Sequence, residues 1–404
     1  MFKKLSIDDL QPGMYVEAIA ETKVKATGES GSHRIAQKGI LRDQAAIGSL
    51  RNAGVVSVIV DTAREIKSET PSVQPLDPTP AKRNKLKSNK SFGDSLTNAR
   101  ALYQKAKELQ AKAMENFASG QELDIESLVD MSDQFIESLF DNQDAMLCAA
   151  MMRTKDDYLL EHSINVAVLL AAFSKYIGLE QRIIRQLTLG GFLHDIGKIK
   201  VDDAILKKPG RLTPAEYEEM KRHVEYGIEA VQAIDSLPDI SRQVIALHHE
   251  KLDGSGYPNK FSGEEISQYG RMASICDCYD AITASRCYKD GVVSSRAFKV
   301  LLDDSGKHFD GALVSQFIKC LGVYPVGSLV ELKSGKLGVV IKSNQQSPLR
   351  PVVKLFYNVR HQHFIEVKDL DLARMNLNDE IERTVTQESL DIDIPRFFDE
   401  FIFN

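Results

Sequence analysis

Tryptophan is missing from this 404-residue chain, and long apolar runs are missing too. The longest apolar stretch, INVAVLLAAF at 164–173, is short and flanked by charge. A helical membrane span needs about 20 such residues. Cysteine is sparse: five, without regular spacing. That excludes a disulfide scaffold and fits a reducing compartment. Glycine-rich phosphate loops of the P-loop or dinucleotide type are absent. There is no excess of basic charge, and the net −6 argues against a general nucleic-acid coat. The opening MFKKLSIDDL has lysines but no apolar run behind them, so no secretory leader is expected. The expectation is a cytoplasmic protein without a transmembrane segment. With 43% hydrophobic residues the chain can fill two or three cores.

Composition shifts along the chain divide it. Residues 1–66 read as a small α/β module, with strands at GMYVEAIA (13–20) and VVSVIV (55–60) and a helix over 41–54 that stops at Gly54. Residues 67–91 are proline-rich and then basic, a linker whose charge is solvated. Residues 92–325 carry helical periodicity. Two amphipathic stretches, 92–118 and 124–150, lead this region and pack on its later helices; a dimer surface is the other use for them. Residues 326–404 alternate with turn signals and read as a short β-rich segment and a tail. HQH at 361–363 reads as part of an exposed strand.

Histidine is what the helical region has in unusual measure. Five of the nine histidines fall between 162 and 249, each in an apolar helical setting. His162 shares a face with Asn165, Leu169 and Phe173. His194 and Asp195 close the apolar run LTLGGFL, whose Gly190 and Gly191 permit close backbone approach. Thr213 and Glu216 form a capping box for a helix expected to contain His223. His248 and His249 end the helix DISRQVIAL. Ser262 and Glu265 form a second capping box, expected to start the helix that carries Asp277. Cys276 and Cys278 flank Asp277 and read as small core residues. Buried imidazoles and a buried carboxylate need partners, and a shared metal centre supplies them all. Imidazole with carboxylate suits iron, manganese or zinc. Adjacent pairs such as His194-Asp195 and His248-His249 diverge by about 100° on a helix, which favours two ions over one. Two ions suit in-line attack on a phosphodiester.

HDIGK (194–198), KKPGRLT (207–213), HHEKLDGSGYP (248–258) and DCYDAITASRCYK (277–289) together resemble the HD-GYP family. These are bacterial phosphodiesterases of the HD superfamily that degrade cyclic di-GMP. The resemblance covers about 150–325. It implies a multidomain chain with an all-α HD-type catalytic domain behind the small module often found ahead of it. It implies two divalent ions, iron or manganese, held by His162, His194, Asp195, His223, His248, His249 and Asp277, with Asp195 bridging. Members with a third metal carry a Glu four residues before the first His. Tyr158 stands there, and Glu161 points elsewhere by helical spacing, so two ions and a linear product, pGpG, are expected. Asp195 and Lys198 are the expected catalytic groups: water attacks phosphorus in line, and the metals and Lys198 stabilise the added charge. Lys198, Arg286, Lys289 and Tyr257 are the expected substrate contacts; Cys287 replaces the family's proline beside Arg286. A 3',3'-cyclic GMP-AMP phosphodiesterase and a silent cyclic di-GMP sensor are the alternatives. A homodimer or a partner signalling protein is an open expectation. Within HHEKLDGSGYP, Glu250 is expected to orient an imidazole or close the helix, and Asp253 to hold the turn. Gly256→Val is expected to harm substrate binding while sparing metal content.

Overall fold

The structure is a computed structural model. It describes residues 2–10, 14–22, 39–40, 47–48, 50–51, 54–61, 91–151, 158–232, 234–284, 291–344, 346–374 and 379–386. The chain divides into two compact units, Met1–Lys82 and Arg83–Asn404.

In the first unit, strands β1 (Phe2–Ser6), β2 (Tyr15–Thr22), β3 (Gly39–Ile40) and β4 (Val55–Asp61) form an antiparallel sheet in the order β1-β4-β2-β3. Alternation in β4 buries Val58 and Val60 against Ile7, Leu10, Val16 and Ile47. Much of the expected helix over 41–54 lies outside the described residues. Its terminal Gly54 has φ 79°, the turn that feeds β4.

The second unit opens with α1 (Phe92–Ala118), capped by a Ser91–Asp94 box. The stretch expected as one helix over 124–150 is two, α2 (Ile125–Asp141) and α3 (Gln143–Met151). Asn142 divides them: it leaves helical geometry at φ −150°, ψ 94°, and its side-chain oxygen accepts from Ala145 N at 3.1 Å. One residue thus stops a helix and caps the next. Then come α4 (Tyr158–Tyr176), α5 (Gln181–Leu193), a 3-10 turn (Ile196–Lys200), α6 (Asp203–Leu206), α7 (Pro214–Lys221) and α8 (His223–Gln232). The bundle closes with α9 (Asp239–Leu247), α10 (Gln268–Thr283), α11 (Ser294–Asp303) and α12 (Gly311–Leu321).

Helix α5 sits between α4 and α9 because two of its residues have no side chain. A Cβ on Gly191 would lie 2.6 Å from Ala167 Cα of α4, and one on Gly190 would lie 2.7 Å from Val244 Cβ of α9. Gly197 does the same for the 3-10 turn, where a Cβ would come within 2.0 Å of the His223 carbonyl oxygen. These close approaches carry His162, His194, Asp195, His223 and the end of α9 into one place.

Strands β5 (Leu329–Leu332), β6 (Lys336–Lys342), β7 (Val352–Asn358), β8 (His363–Asp371) and β9 (Ile381–Val385) make a second antiparallel sheet, ordered β8-β7-β6-β5-β9. Val330, Leu332, Val340, Val353 and Leu355 on one face join the same core as the helices. Leu337, Val339, Ile341 and Phe356 fill a separate cluster on the other face. A Cβ on Gly327 would meet Met151 Cβ of α3 at 2.6 Å, so the sheet enters directly against that helix. HQH is not one strand: Gln362, at φ 52°, reverses the chain between His361 in the turn and His363 at the start of β8, and both imidazoles are exposed. No described helix is long and apolar enough to cross a membrane.

Candidate metal centre

Seven predicted side chains meet. His162 comes from the body of α4, and His194 caps the C-terminus of α5 with Asp195 next in line. His223 stands at a break: α7 ends at Lys221 and α8 begins at His223, so this residue is not inside the capped helix as expected. His248 caps the C-terminus of α9, His249 follows it, and Asp277 faces inward from α10. The second capping box, at Ser262, starts only a 3-10 turn, Gly263–Glu265; α10 itself is capped by Ser267.

Asp195 is fully buried at the middle, and its two oxygens face different partners. Oδ2 lies 3.4 Å from His162 Nε2 and 3.3 Å from His194 Nε2. Oδ1 lies 3.3 Å from His223 Nε2 and 3.8 Å from His248 Nε2. Asp277 is divided in the same way, with Oδ1 at 3.0 Å from His162 Nε2 and Oδ2 at 3.5 Å from His249 Nδ1. Two groups have ligand atoms close enough to surround one ion each: His162, His194 and Asp195; and Asp195, His223, His248 and His249.

Helix ends set the imidazole tautomers. The last carbonyls of a helix have no amide partner within it. His194 Nδ1 lies 2.8 Å from the Gly191 carbonyl, His223 Nδ1 2.7 Å from that of Met220, and His248 Nδ1 2.9 Å from that of Ile245. In each case the partner is three residues back. Nδ1–H donates there, and the Nε2 lone pair is left facing the centre. His162 turns its Nδ1 to a side chain instead. Its Nδ1 is 2.8 Å from Asp280 Oδ2, a buried carboxylate that sequence reasoning missed. The available signal was position: Asp280 lies one turn beyond Asp277 on the same face of α10.

Electrostatics divide the imidazoles. Burial lowers His223 to about 4 and His248 well below its usual range, and keeps His249 at about 3, so these rings are neutral. Burial pulls His162 in the same direction, but hydrogen bonds with Asp277 and Asp280 overturn it and hold the group at about 9. Burial would raise Asp195 and Asp277, yet the surrounding imidazoles, with Lys198 beside Asp195, keep both carboxyls well below their usual range. Two buried atoms in the cluster, His194 Nε2 and Asp195 Oδ1, have no hydrogen-bond partner. Orphaned lone pairs among neutral imidazoles and ionised carboxylates fit a divalent cation.

The wall of the site is the loop after His249. Lys198, itself partly exposed, reaches the buried Asp195 Oδ2 at 2.5 Å. The Tyr257 ring lies 4.6 Å from that of His249, and its peptide N–H donates to the His249 carbonyl at 3.2 Å. Lys221, unforeseen, stands 5.4 Å from the Tyr217 ring and 5.8 Å from that of Tyr257. Glu250 does not orient an imidazole. Its carboxylate accepts from Asn259 N at 2.7 Å and Phe261 N at 3.1 Å, pinning the returning chain. Asp253 holds the turn as expected, accepting from Ser255 N at 2.9 Å. The expected division of this loop into a metal half and a substrate half fails at Gly256. A Cβ there would lie 2.5 Å from Glu250 Cα and 2.7 Å from the His249 carbonyl oxygen, so valine would push on a candidate ligand. Glu161 points away from the centre, to Lys107 at 3.0 Å. Arg286 and Lys289 lie outside the described residues.

Three family models match parts of the chain. Residues 146–313 match a family described as HD domain, 2–128 a domain of unknown function (DUF3391), and 329–391 a KOW domain associated with HD domain. A Pseudomonas aeruginosa protein named cyclic di-GMP phosphodiesterase PA4108 is 32% identical over 94% of this chain and 91% of its own length. A Vibrio cholerae protein named 3'3'-cGAMP-specific phosphodiesterase 2 is 36% identical over 39% of this chain and 30% of its own. A solved HD-GYP-type protein from Bdellovibrio bacteriovorus, Bd1817, aligns over 78% of this chain and 98% of its own, at 16% identity and a TM-score of 0.48.

Proposed function

The chain belongs to the HD-GYP family of HD-domain proteins, and from that premise we propose that it is a metal-dependent phosphodiesterase hydrolysing cyclic di-GMP to linear pGpG. The observation that carries this reading is the division of Asp195, whose two oxygens face two separate sets of imidazoles. His162, His194 and Asp277 would hold one ion with Asp195 Oδ2, and His223, His248 and His249 the other with Oδ1. Iron or manganese suits this donor set. Ions held there would supply Lewis-acid stabilisation of the phosphoryl oxygens and lower the pKa of water.

The protein's own groups do the rest. Asp195 orders the centre, and Lys198, partly exposed, pairs with it at rest. A scissile phosphate entering there takes a share of the Lys198 charge as negative charge builds on phosphorus. Tyr257, against His249, gives a flat apolar surface for a guanine ring. We carry Arg286 and Lys289 forward as phosphate or base contacts. The N-terminal unit we read as a small α/β input module, and the chain as cytoplasmic.

Similarity to a cyclic GMP-AMP-specific enzyme keeps the mixed dinucleotide as the second substrate reading. Chromatography of products from both dinucleotides, with iron- and manganese-loaded protein, tests the proposal. Linear pGpG formed faster than the mixed linear product supports it. Tight binding without turnover of either would leave a sensor instead.

A further inference from the structure

Among the imidazoles of the centre, His162 is supported differently. His194, His223 and His248 stand at helix ends and reach carbonyls three residues back. His162 lies within the body of α4, and its Nδ1 turns to an acceptor on another element. Asp280 is that acceptor: fully buried, with Oδ2 2.8 Å from His162 Nδ1. Asp277, one turn earlier on α10, meets the other nitrogen of the ring at 3.0 Å. One helix face thus brackets the imidazole.

We propose that Asp280 is a positioning residue that orients His162 and makes the two halves of the metal centre unequal. The inference rests on the ligand assignment above. A carboxylate accepts more strongly than a peptide carbonyl, so it draws the Nδ1 proton and raises the donor strength of Nε2. The ion beside His162, His194 and Asp277 is accordingly the more tightly held. The ion beside His223, His248 and His249, with carbonyl support for two of its rings, is the weaker.

Titration of metal-stripped full-length protein with Mn(II), following free Mn(II) by electron paramagnetic resonance, tests this. Wild type takes up two equivalents in a tighter and a weaker step. Asp280→Asn keeps an oxygen acceptor without the charge. It weakens the tighter step about 10–100-fold and moves the weaker step less than about twofold. Equal weakening of both steps, or of neither, overturns the proposal. A second readout needs no variant at Asp280. Proton NMR of the wild type shows a strongly deshielded Nδ1 proton that disappears in His162→Gln; its absence also overturns the proposal. If wild type binds no second equivalent, the two-ion reading fails first, and that result is distinct from the others.

Discussion

In the imidazole cluster, helix termini and neighbouring carboxylates place each polar atom; in the loop from Glu250 to Gly263, carboxylates, Glu250 first and Asp253 with it, place the backbone. The cluster is redundant. Asp195 and Asp277 each touch both halves, and three rings are fixed by carbonyls that any side chain at those helix ends would leave free. The loop has little redundancy. Glu250 satisfies two peptide amides, and Gly256 passes against the His249 carbonyl with no room for a Cβ. A centre assembled from rigid elements tolerates a lost support better than a loop tolerates a lost anchor, and substitutions can test that contrast.

The largest effect is expected from Asp195→Asn, which removes the carboxylate shared by both halves. Elemental analysis should find both ions lost. Turnover should fall well beyond the about 100-fold that losing one supporting contact costs. Retention of one full equivalent would separate the halves. Gly256→Val comes next: metal content and turnover should fall together, because the added side chain meets the His249–Glu250 backbone. Normal metal with a raised KM would restore the division of the loop into a metal half and a substrate half. Glu250→Gln should keep both ions and raise KM. By leaving a buried amide poorly matched, it should lower stability by about 1–3 kcal/mol, measurable by urea unfolding.

Acid should distinguish the regions too. His223 and His249 titrate at about 4 and about 3 when folded, against 6.5 ordinarily. Below pH 6.5 the unfolded chain therefore gains protons that the folded chain refuses. Stability of the metal-free protein should drop as pH falls from about 6.5 to about 4. His162 has the opposite sign: its contribution is complete below 6.5 and fades as pH rises through about 9. A melting temperature that is flat from pH 7 to 4.5 would contradict the burial of these rings. The smallest effect is expected at Thr213→Ala, which removes the cap of α7 for about 1 kcal/mol and leaves metal binding intact.

How much of this was legible depends on the same physics. Histidine and aspartate inside apolar helices announce themselves, because burial demands partners for them, and all seven candidate ligands converge. Asp280 was visible at helical spacing from Asp277 but went unused, since nothing in the sequence says which ring meets a carboxylate across the bundle. The breaks at Asn142 and Arg222 were hidden because apolar periodicity runs straight across them. Strand β8, HFIEVKDLD, is exposed on most of both faces, so no period-two signal marks it. Glu250 adjoins the histidine pair in sequence, yet its partners lie across the turn, a relation that only the folded loop reveals.

The entry of Gly327 against Met151 has a consequence for how this architecture can be rearranged. Val330, Val340, Val353 and Leu355 share one interior with the catalytic helices. A chain cut at residue 325 would turn that interior outward along α3, and a helical region borrowed without its sheet would inherit the same exposed scar. The terminal sheet is therefore not a detachable cassette. It can be exchanged between relatives only together with the helix face it covers.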